Sequence, residues 1–173
     1  VYDGNWIIPT MNGEPRLEKP TLPTWITAVA EMISPDNISL QRGMAALAAI
    51  LLVAYFYLFA SRIMKQNPLA PTLLLCTCYN IILMGRTASW DIYCHAFMMA
   101  AIYHTARALT KDKHSLRNFI IAGIFSGLSI LSKGPVSPYA LLLPFIIAFA
   151  ITARPNDKKH IKAITTAIIV ALV

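Results

Sequence analysis

Glu18 and Lys19 stand side by side between Pro15 and Pro20, with Glu14 and Arg16 just upstream. A carboxylate can hold a cation and an ammonium can hold a phosphate, so this adjacent pair is suited to those two tasks. Arg16 adds a second cation. Pro15 and Pro20 each remove a backbone donor and fix φ, and Gly13 permits a turn, so residues 12–20 cannot be a helix interior. A stiff, charged, non-helical segment beside a bilayer has to lie in water or against a polar site. The plainer reading is a solvated loop with ordinary surface charge, and spacing alone does not separate the two.

Two further constellations carry charge. Asp91 follows Gly85-Arg86-Thr87-Ala88-Ser89-Trp90 and opens an apolar run whose next sixteen residues hold no acid. An acid at a membrane boundary is costly unless paired or hydrated, which makes Asp91 a candidate catalytic carboxylate. It could equally cap the helix it opens, where the dipole favours an anion, and the two roles are compatible. His95 lies at i+4 from Asp91 and should face it. Asp91, Cys94 and His95 on one helix have poor tetrahedral geometry for a metal. Lys133 ends another apolar run just before Gly134-Pro135. It can serve as a third cation facing an anionic site, or simply snorkel and cap.

The elements that must position these residues are membrane spans. The 173-residue chain is 57% hydrophobic and 13% charged, against the roughly 25% charge of soluble domains. Apolar runs at Met44–Met64, Leu69–Gly85, Ile92–Leu109, Phe119–Ser132 and Tyr139–Thr152 predict five spans, with Ile164–Val173 beginning a sixth. The fourth and fifth are short for a full crossing. Neither a start methionine nor a signal peptide is present, and the chain stops inside an apolar run, so both ends read as cut from something longer. Cys76, Cys78 and Cys94 show no CxxC spacing and read as small core residues.

Charge sets the orientation. Arg62, Lys65, Arg107, Lys111, Lys113, Arg117, Arg154, Lys158, Lys159 and Lys162 all fall on one side of the alternating topology. They are ten of the 15 basic residues, and the positive-inside rule makes that side cytoplasmic. The net charge of +7 therefore requires no nucleic acid partner. The other face receives residues 1–42, the corners at Gly85–Asp91 and Lys133–Pro138, and all three tryptophans, Trp6, Trp25 and Trp90. Two regions follow: an extracytoplasmic loop at 1–42 and a transmembrane bundle at 43–173.

Within the loop, Leu22, Trp25, Ile26, Val29, Met32 and Ile33 form one apolar stripe at helical spacing. Thr21 is the expected N-cap and Ser34-Pro35 the expected stop. An amphipathic helix of this length suits the membrane interface and would pin Glu18 and Lys19 at headgroup depth.

Here the residues resemble a family. Trp6-Ile7-Ile8-Pro9, then Asn12-Gly13-Glu14-Pro15-Arg16-Leu17-Glu18-Lys19-Pro20-Thr21-Leu22, is similar to the first extracytoplasmic loop of bacterial lipid-linked-sugar glycosyltransferases. These are the protein-O-mannosyltransferase-like group, and especially the lipid A aminoarabinose transferases. Arg86-Thr87 with Asp91, and Ser132-Lys133-Gly134-Pro135, resemble that family's corners in the same order. Leu17 replaces the usual aromatic and Thr21 the second proline, and the family's acidic pair that opens this loop would lie upstream of Val1.

The resemblance implies an all-α, polytopic GT-C bundle with an extracytoplasmic interfacial helix, set in a bacterial inner membrane. It implies transfer of a sugar from a polyprenyl monophosphate carrier to a lipid (lipid A-like) or protein acceptor. It makes Glu18 a ligand for zinc or another divalent cation, with its partner ligand on a later loop. It puts Lys19 on the carrier phosphate and Asp91 near the reacting centre. The charge chemistry agrees: a departing phosphate needs cations such as Lys19, Arg16 or Lys133, and Asp91 can take a proton. Residues 1–173 alone are expected to be inactive. A polytopic transporter or flippase, or a non-catalytic membrane assembly subunit, remains the rival. A transporter usually carries its marked polar residues near the midplane, whereas here they gather at one face.

Overall fold

In a computed structural model the chain is described over residues 20–110 and 115–152, together with Trp6, Thr10–Met11, Glu14–Pro15, Ile161 and Thr165. It is an all-α membrane bundle, preceded by a short antiparallel pairing of Thr10–Met11 with Glu14–Pro15. Helix α1 (Leu22–Ile33) starts where the sequence predicts and ends at Ser34, the residue before Pro35. Thr21 holds the N-cap position, but its backbone is already helical and its side chain makes no capping bond. Pro23 in the first turn lacks the N–H that a cap would otherwise satisfy.

Helix α2 (Ile38–Arg62) is longer than its apolar run because Asn37 caps it, its side chain accepting from the Leu40 N–H at 3.1 Å. Glu31 staples the two helices, accepting from the Asp36 N–H at 3.0 Å and from the Gln41 amide at 2.8 Å. The predicted continuous second span is instead two helices, α3 (Leu69–Thr77) and α4 (Tyr79–Arg86), bent by 63° at an extended Cys78. At the break the Thr77 hydroxyl turns back onto the Leu74 carbonyl at 3.0 Å, a local alternative to the helical ladder.

Helices α5 (Trp90–Thr110) and α6 (Ser115–Lys133) form the centre, and a π-helical turn at Pro138–Leu142 runs into α7 (Leu143–Thr152). Alone, α2 and α6 are long and apolar enough to cross a bilayer, and α3–α4 counts as a third crossing if the bent pair is one span. The most deeply buried helix is α5. Its alanines let neighbours approach closely, so Ile92, Tyr93 and Ala96 pack with Ala45, Ala48 and Leu52 of α2. Lower on the same helix, Met98, Ala101 and Leu109 pack with Leu142 and Ile146. The sixth run, apart from Thr165, lies outside the described residues.

The expectation that all three cysteines are core changes as well. Cys76 and Cys78 are exposed on the outside of the bundle, and Cys94 alone of the three is core. The α1 stripe is only partly covered: Ile26 packs into the α2–α5 cluster, while Val29, Met32 and Ile33 are exposed. The buried positions of α1 are instead Pro23, Ala28 and Ala30. An exposed apolar strip on a short helix is what a bilayer interface would cover.

Helix α4 closely approaches α2 at Gly85, where an added Cβ would stand 3.0 Å from the Ala49 Cβ. Gly85→Val is expected to destabilise the protein by about 1–3 kcal/mol through overpacking. Gly123→Ala, where nothing lies within 4 Å, is the control and should be neutral or stabilising. Thermal unfolding midpoints of the two variants in the same detergent check this.

Candidate active site

The sequence places Asp91 and Lys133 on separate corners, and the fold joins them. Lys133 Nζ forms an ion pair with Asp91 Oδ1. Asp91 comes from the first turn of α5 and Lys133 from the last turn of α6. The pair is half-buried, with side-chain exposures of 51% for Lys133 and 29% for Asp91, and no second ion pair occurs among the described residues.

The local sequence explains each position. Ser89 caps α5: its Oγ accepts from the Asp91 N–H at 3.3 Å and donates to Asp91 Oδ2 at 3.5 Å. Asp91 is therefore not the capping residue. It sits inside the first turn, where the helix dipole favours its charge. On the other side α6 stops at Lys133 because Gly134 adopts a left-handed φ of 87°, and its N–H closes onto the Ile130 carbonyl at 2.6 Å. Cation at a C-terminus and anion at an N-terminus are each stabilised by their own helix before they meet.

One turn inward lies a polar clamp that sequence reasoning did not single out. The Ser129 hydroxyl donates to the Cys94 carbonyl at 2.9 Å, so its oxygen accepts from Ser137 at 2.7 Å and from the Cys94 thiol at 3.5 Å. All three residues are buried. The clamp ties α5, α6 and the segment before the π-turn together directly beneath the ion pair. Its only sequence signal is one of three serines, Ser126, Ser129 and Ser132, in a largely apolar run, and serine is common there without such a role.

The remaining candidates divide. Arg16, Glu18 and Lys19 lie outside the described residues. Pro20, the end of their motif, leads into α1, and Ile26 one turn on packs in the same cluster as Ile92 and Tyr93 beside Asp91. Trp25 Nε1 donates to the Trp6 carbonyl at 2.6 Å, holding part of the preceding loop against α1. His95 stands a turn below Asp91, partly buried, and makes no hydrogen bond to it. Among the described residues no three of His, Cys, Asp and Glu gather where a metal could bind. Asp91 is engaged by Lys133.

Comparison with known proteins gives the family and the fold. The chain is 29% identical over 164 residues to an uncharacterised protein of Aquifex aeolicus (strain VF5), covering 94% of this chain and 32% of that protein. It is 23% identical over 154 residues to the undecaprenyl phosphate-alpha-4-amino-4-deoxy-L-arabinose arabinosyl transferase of Shewanella sediminis (strain HAW-EB3), covering 85% and 28%. The transferase of the same name from Wigglesworthia glossinidia brevipalpis is 26% identical over 154 residues, covering 86% and 27%. The chain thus spans about a third or less of these relatives' length. The crystal structure of ArnT from Cupriavidus metallidurans in the apo state matches the fold with a TM-score of 0.77 at 18% identity, covering 99% of this chain and 32% of that one. Residues 18–173 match the dolichyl-phosphate-mannose-protein mannosyltransferase family, and the chain belongs to it.

Proposed function

We propose that the full-length protein is a membrane glycosyltransferase that moves a sugar from a polyprenyl monophosphate carrier to a lipid (lipid A-like) or protein acceptor at the extracytoplasmic face. The observation that carries this reading is the Asp91–Lys133 pair, assembled from two helix ends at one end of the bundle beside α1. In this reading an acceptor oxygen attacks the anomeric carbon, and the sugar–phosphate bond breaks with its electron pair leaving on the phosphate. Asp91 takes the acceptor proton or stabilises charge on the sugar. Lys133 holds the carboxylate in place.

Lys19, with Arg16, offsets charge on the departing phosphate. Glu18 is proposed as one ligand of a divalent cation whose other ligands lie elsewhere. The lipid tail of the carrier accounts for chemistry at a bilayer surface. The relatives named as undecaprenyl phosphate-linked arabinosyl transferases favour an aminoarabinose-like sugar, and the family's name a hexose.

The test is release of polyprenyl phosphate by the purified full-length protein, dependent on acceptor, across a panel of polyprenyl-phosphate-linked aminoarabinose and mannose. Failure with every donor would overturn the reaction. Orientation is tested separately by introducing cysteine at Asn12 and at Lys158, with Cys76 and Cys78 replaced by Ala. An impermeant thiol reagent outside intact cells should label position 12 and spare 158; the reverse would overturn the topology.

A further inference from the structure

At the opposite end of α5, about 24 Å from Asp91, a second charged cluster lies outside the proposed reaction. Arg62, the last residue of α2, donates to the Tyr103 hydroxyl at 3.5 Å. Arg107, in the last turn of α5, donates to the same oxygen at 3.4 Å, with its guanidinium carbon 5.8 Å from the Tyr103 ring centre. The two donor nitrogens are therefore no more than about 7 Å apart. Tyr103 is buried, at 2% exposure, while Arg62 is exposed and Arg107 partly so. Arg117 stands in the first turn of α6, which the Ser115 hydroxyl ties to the Ala108 carbonyl at 3.0 Å.

No carboxylate answers this charge among the described residues, where the one ion pair is Asp91–Lys133; Asp112, between α5 and α6, lies outside them. A phenol can accept both bonds but cannot neutralise either cation. Like charges held this close at the edge of a low-dielectric bundle repel unless an anion lies between them. A tetrahedral phosphate matches the donor geometry of paired guanidiniums, which favours it over a compact halide. Exposed Leu116 and Ile120, on the first turns of α6, add an apolar surface at the same level. A ligand with a phosphate head and an acyl tail meets both features.

We propose that Arg62, Arg107 and Tyr103 form a binding site for the phosphate of an anionic phospholipid headgroup at the basic end of the bundle. The site is separate from the transfer reaction and does not depend on it. General attraction of a basic membrane face for anionic lipid is the competing explanation, and it has a different signature: any exposed base would contribute alike.

The experiment uses the full-length protein in an uncharged detergent, stripped of native lipid. Native mass spectrometry measures retention of dioleoylphosphatidylglycerol against dioleoylphosphatidylcholine, with and without millimolar inorganic phosphate. The wild type should prefer the anionic lipid, and Arg62→Gln/Arg107→Gln should weaken that binding roughly ten- to a hundredfold. Lys65→Gln, at an exposed base at the same end, should leave it within about twofold. Arg62→Lys keeps the charge but loses the fork, and should still cost several-fold; it also carries the test alone if the double variant is not monodisperse. Equal losses for Lys65→Gln and the double variant, or no loss in either arginine variant, would overturn the site. Complete displacement of the lipid by inorganic phosphate would overturn the lipid and leave a free-phosphate site.

Discussion

Asp91→Asn in the full-length protein is expected to remove most transfer, by about 10²–10⁴-fold, while folding and carrier binding stay near normal. The substitution preserves size and removes both charge and basicity. Ser89 already caps α5, so the helix start does not depend on residue 91. If Asp91 served only the helix dipole and a half-exposed ion pair, its loss would cost about 1 kcal/mol of stability and little activity. The measurement is kcat with a polyprenyl-phosphate sugar beside the thermal midpoint of the same preparation. Near-normal kcat in a well-folded variant would sink the catalytic role. A loss that Asp91→Asn/Lys133→Gln restores would mean that the freed lysine, and not the missing base, was at fault.

Lys19→Ala should act on binding more than on turnover. Removing a cation that faces a phosphate costs about 1.5–3 kcal/mol, or roughly ten- to a hundredfold. Part of that loss should appear as weaker carrier binding, because the donor phosphate is charged before the reaction as well as after it. Direct binding of a polyprenyl-phosphate sugar to wild type and variant separates this from a folding defect, and Lys19→Arg should recover much of the affinity. Unchanged binding and unchanged kcat would return 12–20 to an ordinary solvated loop.

Much of the architecture was legible in advance. Hydropathy over tens of residues marks membrane helices because lipid cannot satisfy an exposed backbone, so the runs at 44–64 and 119–132 had to be helical. Ser34-Pro35 and Lys133-Gly134-Pro135 end helices for local steric reasons, and both did so where the residues dictate. The break at Cys78 was not legible: no proline or glycine marks it, and Gly85 settles against Ala49 only once α2 is beside it.

For the site, residue types identified Asp91 and Lys133 separately, since an acid at the head of an apolar run and a lysine at the tail of another are both costly placements. Their meeting was decided by the tertiary structure. Forty-odd residues of chain separate them, and only the packing of α5 against α6, clamped by Ser129 on the Cys94 carbonyl, brings one helix start to the other's end. The same holds for Arg62 and Arg107, which the sequence reads merely as positive charge on one side. Sequence determines which residues must leave or enter the membrane, because that depends on each run's own transfer free energy. Which charges become partners depends on helix rotation and stagger, set by side chains on elements far apart in the chain.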